Sequence, residues 1–306
     1  MPAPEIVPVW AGGGGRDDDS DFRDDYGLVS RGNDTRLQSD PDLQQRYFAL
    51  LQRKYLAICA DAPGVDALRR TFQTLTVGTS TTTTEDAVDL GRDRTDEDAA
   101  RKMALDQVVL GLRKLREAVI ASGPPTPFAK KVLLFSVRVT VLLGHYQSYL
   151  PAMKRLLDDV HPVIALSAAE RYEIGGLYVL HLVHFSNDLT AAYHAMHQYD
   201  LFDDLALRQV LRAWADVDYV LWRRRYDGEP DSGRRRIMAF GDRTMAIETL
   251  KRLGTAYFFM QKDEIERFTG RQWTDCVQKL GCGWRLEETG RVVMRERKHR
   301  LPAKAE

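Results

Sequence analysis

The side chains best suited to metal chemistry are four histidines in two close pairs. His181 and His184 stand three apart, as do His194 and His197, on what the pattern reads as two consecutive helices. Two i, i+3 pairs on an antiparallel hairpin supply in principle the four imidazoles of a metal site. The register argues against it. His184 falls beside the turn and His194 more than a turn beyond it, and no carboxylate is placed to orient the rings. These histidines are therefore expected to be packed or surface side chains. Cys276 and Cys282 are separated by five residues without a second Cys/His pair, which is too open for a zinc knuckle, and Cys276 sits in the apolar company of Trp273, Val277 and Leu280. The run Gly12–Gly15 is followed by acids instead of a Gly-Lys-Ser/Thr, so it cannot cradle phosphate. No nucleophile elbow, Ser–His–Asp spacing or paired catalytic carboxylate emerges. The expectation is a protein that is not an enzyme and uses no cofactor.

Arginine carries the stronger signal. Arg223, Arg224 and Arg225 form one cluster, and Arg234, Arg235 and Arg236 a second across an acidic loop; Arg291, Arg295, Arg297 and Lys298 crowd the C-terminal end. Residues 221–306 hold 20 Lys and Arg against 13 Asp and Glu, a balance of +7, whereas residues 1–46 hold 5 Arg against 10 acids. The overall neutrality, 44 of each sign, thus conceals a polarised chain. Three physical roles compete for the cations: complementing a helix C-terminus, meeting the acidic start of the same chain, or meeting a partner.

The elements that must position these groups are mostly helical. Residues 1–42, acidic and glycine-rich, read as a disordered tail unlike a signal peptide. Apolar spacing predicts a helix over 42–60, an exposed loop over the threonine-rich 76–96, and a helix from a capping box at Thr95 to about 121. Further helices are predicted over 127–144, 148–160, 168–185 and 189–199, with one long amphipathic helix over 203–226. Short helices joined by short turns suit a stacked, TPR-like helical repeat across 43–202. Residues 203–300 join that long helix to a stretch of different character over the last eighty residues: a helix over 245–253, a strand over 255–259, helices over 262–268 and 271–280, then strands 284–287 and 291–295 around Glu288-Thr289-Gly290, before a short tail over 301–306. That order is a winged helix with a small β-hairpin. Three cysteines speak against a disulfide-stapled secreted fold, and no apolar run approaches the roughly 20 residues of a membrane span.

Helical repeats running into a winged helix resemble the PCI domain shared by the proteasome lid, the COP signalosome and translation initiation factor 3. Residues 176–196 resemble the family's helical hairpin, Arg212-Ala213-Trp214 and Asp218–Trp222 its subsequent long helix, and residues 281–295 its wing. The subgroup most similar unites signalosome subunit eight, the lid subunit Rpn-twelve and the k subunit of initiation factor 3. The resemblance implies a cytoplasmic or nuclear scaffold subunit with no membrane attachment, whose partners are other PCI-type or scaffold subunits. An RNA- or DNA-binding adaptor is the alternative. The candidate recognition helix carries only Arg271 and Lys279 as cations, a thin footprint for phosphates. Trp284 is the candidate aromatic anchor, Trp222, Tyr226 and residues 257–259 are expected mainly in the core, and strand 291–295 is the candidate edge for pairing.

Overall fold

The computed structural model describes residues 26–28, 34–60 and 92–295. Helices dominate them, and a small three-stranded antiparallel sheet lies near the C-terminal end. Among the described residues no helix is long and apolar enough to cross a membrane.

The first layer is built from α1 (Arg36–Ser39), α2 (Pro41–Ala60), α3 (Arg92–Ala121) and one face of α4 (Pro127–Leu142). Tyr47, Leu51, Val108, Leu112 and Leu115 are fully buried between them, and Phe48 meets Phe128 and Phe135 edge to face. Two sequence expectations change here. Residues 34–42 do not belong to a disordered tail: Leu37 on α1 and Tyr26 bury themselves in this layer, Tyr26 against Tyr47 at 5.1 Å. The next helix starts at Arg92, ahead of the capping box expected at Thr95, so 92–96 are helical; residues 76–91 of the predicted loop lie outside those described.

The second layer contains α5 (Tyr146–Lys154), a π-helical turn (Arg155–Val160), α6 (Ala168–His184), α7 (Leu189–Gln198), α8 (Leu205–Ala215), α9 (Tyr219–Asp227) and the 25-residue α10 (Ser232–Ala256). Local chemistry sets these starts. Ser167 and Glu170 form a reciprocal capping box on α6. Asp188, Asp204, Asp218 and Asp231 then cap α7 to α10 in turn, each carboxylate accepting an N–H from the residue three further on. Each such cap is worth about 1 kcal/mol.

The expected single helix over 203–226 is two. Val217 stands at φ 53°, in the left-handed region where a β-branched residue is strained, and Asp218 restarts the chain as α9. The true long helix is α10, whose apolar residues pack against several helices at once, so its sequence shows little one-sided periodicity. It crosses α4 and α6 and then carries the C-terminal module on its far half.

That module comprises β1 (Phe259–Gln261), α11 (Lys262–Thr269), α12 (Trp273–Gln278), β2 (Arg285–Leu286) and β3 (Arg291–Val293) around a small core of Leu250, Leu253, Met260, Ile265, Trp273, Cys276 and Val292. The strand order is β1-β3-β2. Phe259 pairs with Val293 and Met260 with Val292 on one side; Arg285 pairs with Val293 and Leu286 with Val292 on the other. The proposed pairing edge, strand 291–295, is therefore the central strand, with its hydrogen bonds already committed on both sides. The edges are β1 and β2.

Within the second layer α10 passes close against α6 and α8. A Cβ on Gly241 would lie 2.6 Å from the His184 ring and 2.8 Å from the Trp214 ring. The measured stability of Gly241→Ala should fall by about 1–3 kcal/mol, although alanine is the better helix former by about 1 kcal/mol. Denaturant melts that show a gain would contradict this packing.

The histidines make a second expectation. Burial pushes both His181 and His184 down to about 4, Lys154 adding to the effect at His181 and the Leu180 carbonyl opposing it at His184. An unfolded histidine takes its proton near pH 6.5, so protonation favours the unfolded chain. Their contribution is whole above that value and lost as pH falls toward 4, by about 2 kcal/mol each between pH 7.5 and 5. Melts at the two pH values should show this loss, and His181→Gln should make the slope shallower.

Candidate functional site

The His181/His184 and His194/His197 pairs do not converge on a metal. His184 donates from Nδ1 to the Leu180 carbonyl at 2.9 Å and accepts the Trp222 indole N–H on Nε2 at 3.1 Å, so both nitrogens are committed. His181 Nδ1 lies 2.9 Å from the Tyr149 hydroxyl. His194 and His197 are exposed. Among the described residues no group of three or more His, Cys, Asp or Glu side chains is placed to hold a metal ion.

The two arginine clusters expected at an interface turn largely inward. Arg223 reaches Asp242 at 2.5 Å and the Thr269 carbonyl at 2.7 Å, with its guanidinium over the Trp222 and Tyr226 rings. Arg271, from the loop before α12, bonds the other oxygen of the same Asp242. Gly270, at φ 65°, ends α11 directly beneath Arg223, where a Cβ would collide with the guanidinium. Arg234 pairs with Asp204 at 2.6 Å, Arg235 donates to the Glu229 carbonyl at 3.0 Å, and Arg236 reaches the Leu143 carbonyl. Arg225 is half-buried, whereas Arg224 faces solvent. Lys279 pairs with Asp275 at 2.9 Å on the surface of α12. Trp284 is half-buried against Gly254 of α10. Arg297 and Lys298 lie outside the described residues.

Among the described site residues, Arg224 and the arginines of the sheet remain at the surface, and at the sheet the structure adds what the sequence reading missed. Strand alternation turns Met260 and Val292 into the module's core and leaves the Phe259, Val293, Arg285 row and the Gln261, Arg291 row on the other face. Arg291 sits 4.7 Å over the Phe259 ring and Arg295 4.6 Å over the Phe258 ring. Together with Arg285, Glu287 and Val293 they line an open depression of about 480 Å³. Phe259 is 56% exposed, and Tyr257 and Phe258 are exposed too, against the expectation that residues 257–259 belong to the core. Trp222, by contrast, is fully buried, and Tyr226 stacks on it. The missed signal was available: neighbouring residues of an extended segment point to opposite faces, so Phe258 and Phe259 could not both face the core.

Chemically, this face offers apolar rings held against guanidiniums, a combination suited to recognition and lacking any nucleophile or acid–base pair. Burial raises both the Cys276 and Cys282 thiols above their ordinary range, which disfavours the reactive thiolate.

Asp242 joins the module to the helical body by holding two guanidiniums at once. Asp242→Asn should cost about 2–4 kcal/mol, because two partly buried cations would lose their shared counter-charge. Chemical denaturation read by tryptophan fluorescence would test this, and a loss under about 0.5 kcal/mol, the size of an exposed ion pair, would contradict it. Comparison with known proteins leaves the surface to be read from its own chemistry: no family model matches the chain, and no curated protein matches it.

Proposed function

We propose that this chain is a non-catalytic scaffold or adaptor subunit of a multi-protein complex: a helical array of repeat type that ends in a PCI-type winged helix and docks onto other subunits through it. The observation that carries the reading is the exposed aromatic–arginine face of the C-terminal sheet. Aromatic and arginine side chains are the residues enriched among interface anchors, and few surfaces leave two adjacent phenylalanines in solvent without a partner to cover them.

Other features support it. The order α10, β1, α11, α12, β2, β3, with the last strand in the centre of the sheet, agrees with the winged-helix reading. The packing of consecutive helices as pairs, α4 with α5 and α6 with α7, is in keeping with the helical-array reading. A nucleic-acid adaptor is less well supported, since Arg271 is tied to Asp242 and Lys279 to Asp275, which leaves α12 little charge for phosphates.

Nuclease-treated affinity purification of the tagged chain, with size exclusion and mass spectrometry, tests the proposal. Wild type should co-elute with defined protein subunits in fixed ratio. The double variant Phe258→Ala/Phe259→Ala should fold normally, because both rings are exposed, yet lose those subunits at least about tenfold, as expected for two anchors worth more than 1 kcal/mol each. Elution of the wild-type chain alone, or only with nuclease-sensitive material, would sink the proposal.

A further inference from the structure

We infer that the sheet-face depression binds a short acidic peptide segment of a partner protein, one that presents carboxylates beside an apolar side chain. The inference rests on the docking role just proposed and names the chemistry of the partner. Its lining is charged and apolar in a definite arrangement. Among the described lining residues, Arg285, Arg291 and Arg295 supply three cations and Glu287 is the sole carboxylate, 3.0 Å from Arg291 and 3.7 Å from Arg285, a balance of +2. Phe258, Phe259 and Val293 form the apolar wall.

The guanidiniums are positioned for carboxylates. Arg291 spends its Nε–H on Glu287, and Arg295 spends one Nη2 N–H on the Thr255 carbonyl at the end of α10. Each guanidinium has five N–H donors in a planar fork, so donors remain for a second, bidentate acceptor. Cation–π contact with Phe259 and Phe258 fixes the direction of each fork before a partner arrives, which lowers the ordering entropy lost on binding.

The same contacts disfavour nucleic acid. A base stacking on either ring from the arginine side would have to displace a guanidinium, and the Glu287 carboxylate in the same lining would repel a phosphate. Three cations also make a weak electrostatic footprint for a polyanion, whereas they suit two or three carboxylates. The volume of about 480 Å³ accommodates a few side chains and no folded element.

Selection of a random peptide library displayed on phage against the full chain tests the inference. Enriched peptides should carry Asp or Glu next to Phe, Trp or Leu. A fluorescein-labelled enriched peptide should bind more weakly as salt rises. Its affinity should fall roughly ten- to hundredfold in Arg291→Glu and in Arg285→Glu, the loss expected for a charge-assisted hydrogen-bonded pair. Arg291→Gln, which removes the charge without reversing it, should fall between wild type and Arg291→Glu, and circular dichroism melts would confirm that each variant folds. Enrichment of neutral or basic peptides, no enrichment, or affinities unchanged by these substitutions would overturn the inference. So would concentration-dependent self-association through this face in sedimentation, or tighter binding of oligo-dT than of any peptide with the same arginine dependence. If subunits still co-purify in the Phe258/Phe259-dependent way while acidic peptides fail, the acidic-segment inference falls and the scaffold reading stands.

Discussion

Four helices converge on one buried imidazole. His184, at the C-terminal end of α6, accepts the indole N–H of Trp222 from α9, stands edge-on to Trp214 of α8 at 4.9 Å, and leaves room for α10 only because residue 241 has no side chain. The Nδ1 bond to Leu180 settles the tautomer, and that tautomer makes Nε2 an acceptor for the indole. A charged imidazolium could not accept that bond. The neutrality of this histidine, a buried indole donor and a missing methyl group are thus one constraint, and the path of α10 follows from it. Because the C-terminal module rides on the far half of α10, its placement depends on the same contact.

The arginines extend this constraint along the chain. Summed charge suggested a basic surface, but a guanidinium can be structural wherever a carboxylate or a carbonyl waits for it. Arg234 ties the start of α10 to Asp204 at the cap of α8, Arg223 ties α9 to α10, and Arg271 ties the approach to α12 to the same Asp242. Arg223 also covers the Trp222 ring, so the polar joint and the indole–imidazole joint share a residue pair. Cations used in this way are desolvated and fixed, and they contribute geometry where an exposed cation would contribute long-range steering. The outward arginines of the sheet, Arg285, Arg291 and Arg295, are a smaller set with a defined direction.

The parts of this fold that could be read from the sequence are those decided locally. Glu288-Thr289-Gly290 between alternating segments marks the β2–β3 hairpin, and Ser186-Asn187-Asp188 marks the turn from α6 to α7, where Asp188 also caps the new helix. The parts that could not be read are decided by distant partners. The break at Val217 requires a strained residue that tertiary packing around Trp214 and Trp222 holds in place, and no local preference of valine announces it. The length of α10 was hidden because its contacts are spread around the helix, and the burial of Tyr26 and Leu37 depends on Tyr47 further along the chain. Strand order belongs to the same class: β3 follows β2 in sequence, yet it also closes on β1 some thirty residues earlier, and this alone makes it central.

That strand order decides how the C-terminal module can meet a partner. With β3 in the centre, its arginine cannot take part in edge pairing, and its side chain is displayed on the face between the two flanking strands. The face then acquires Phe259 from one neighbour and Arg285 from the other, three residues distant in sequence made adjacent by register. Strands of two and three residues offer few backbone groups at their edges, so recognition through the sheet face has more to work with than recognition through its rim. A partner bound there reads side chains, and the side chains present pair an apolar ring with a cation twice over. Specificity would then follow from matching both properties at one spacing, which a purely acidic or a purely apolar segment cannot do.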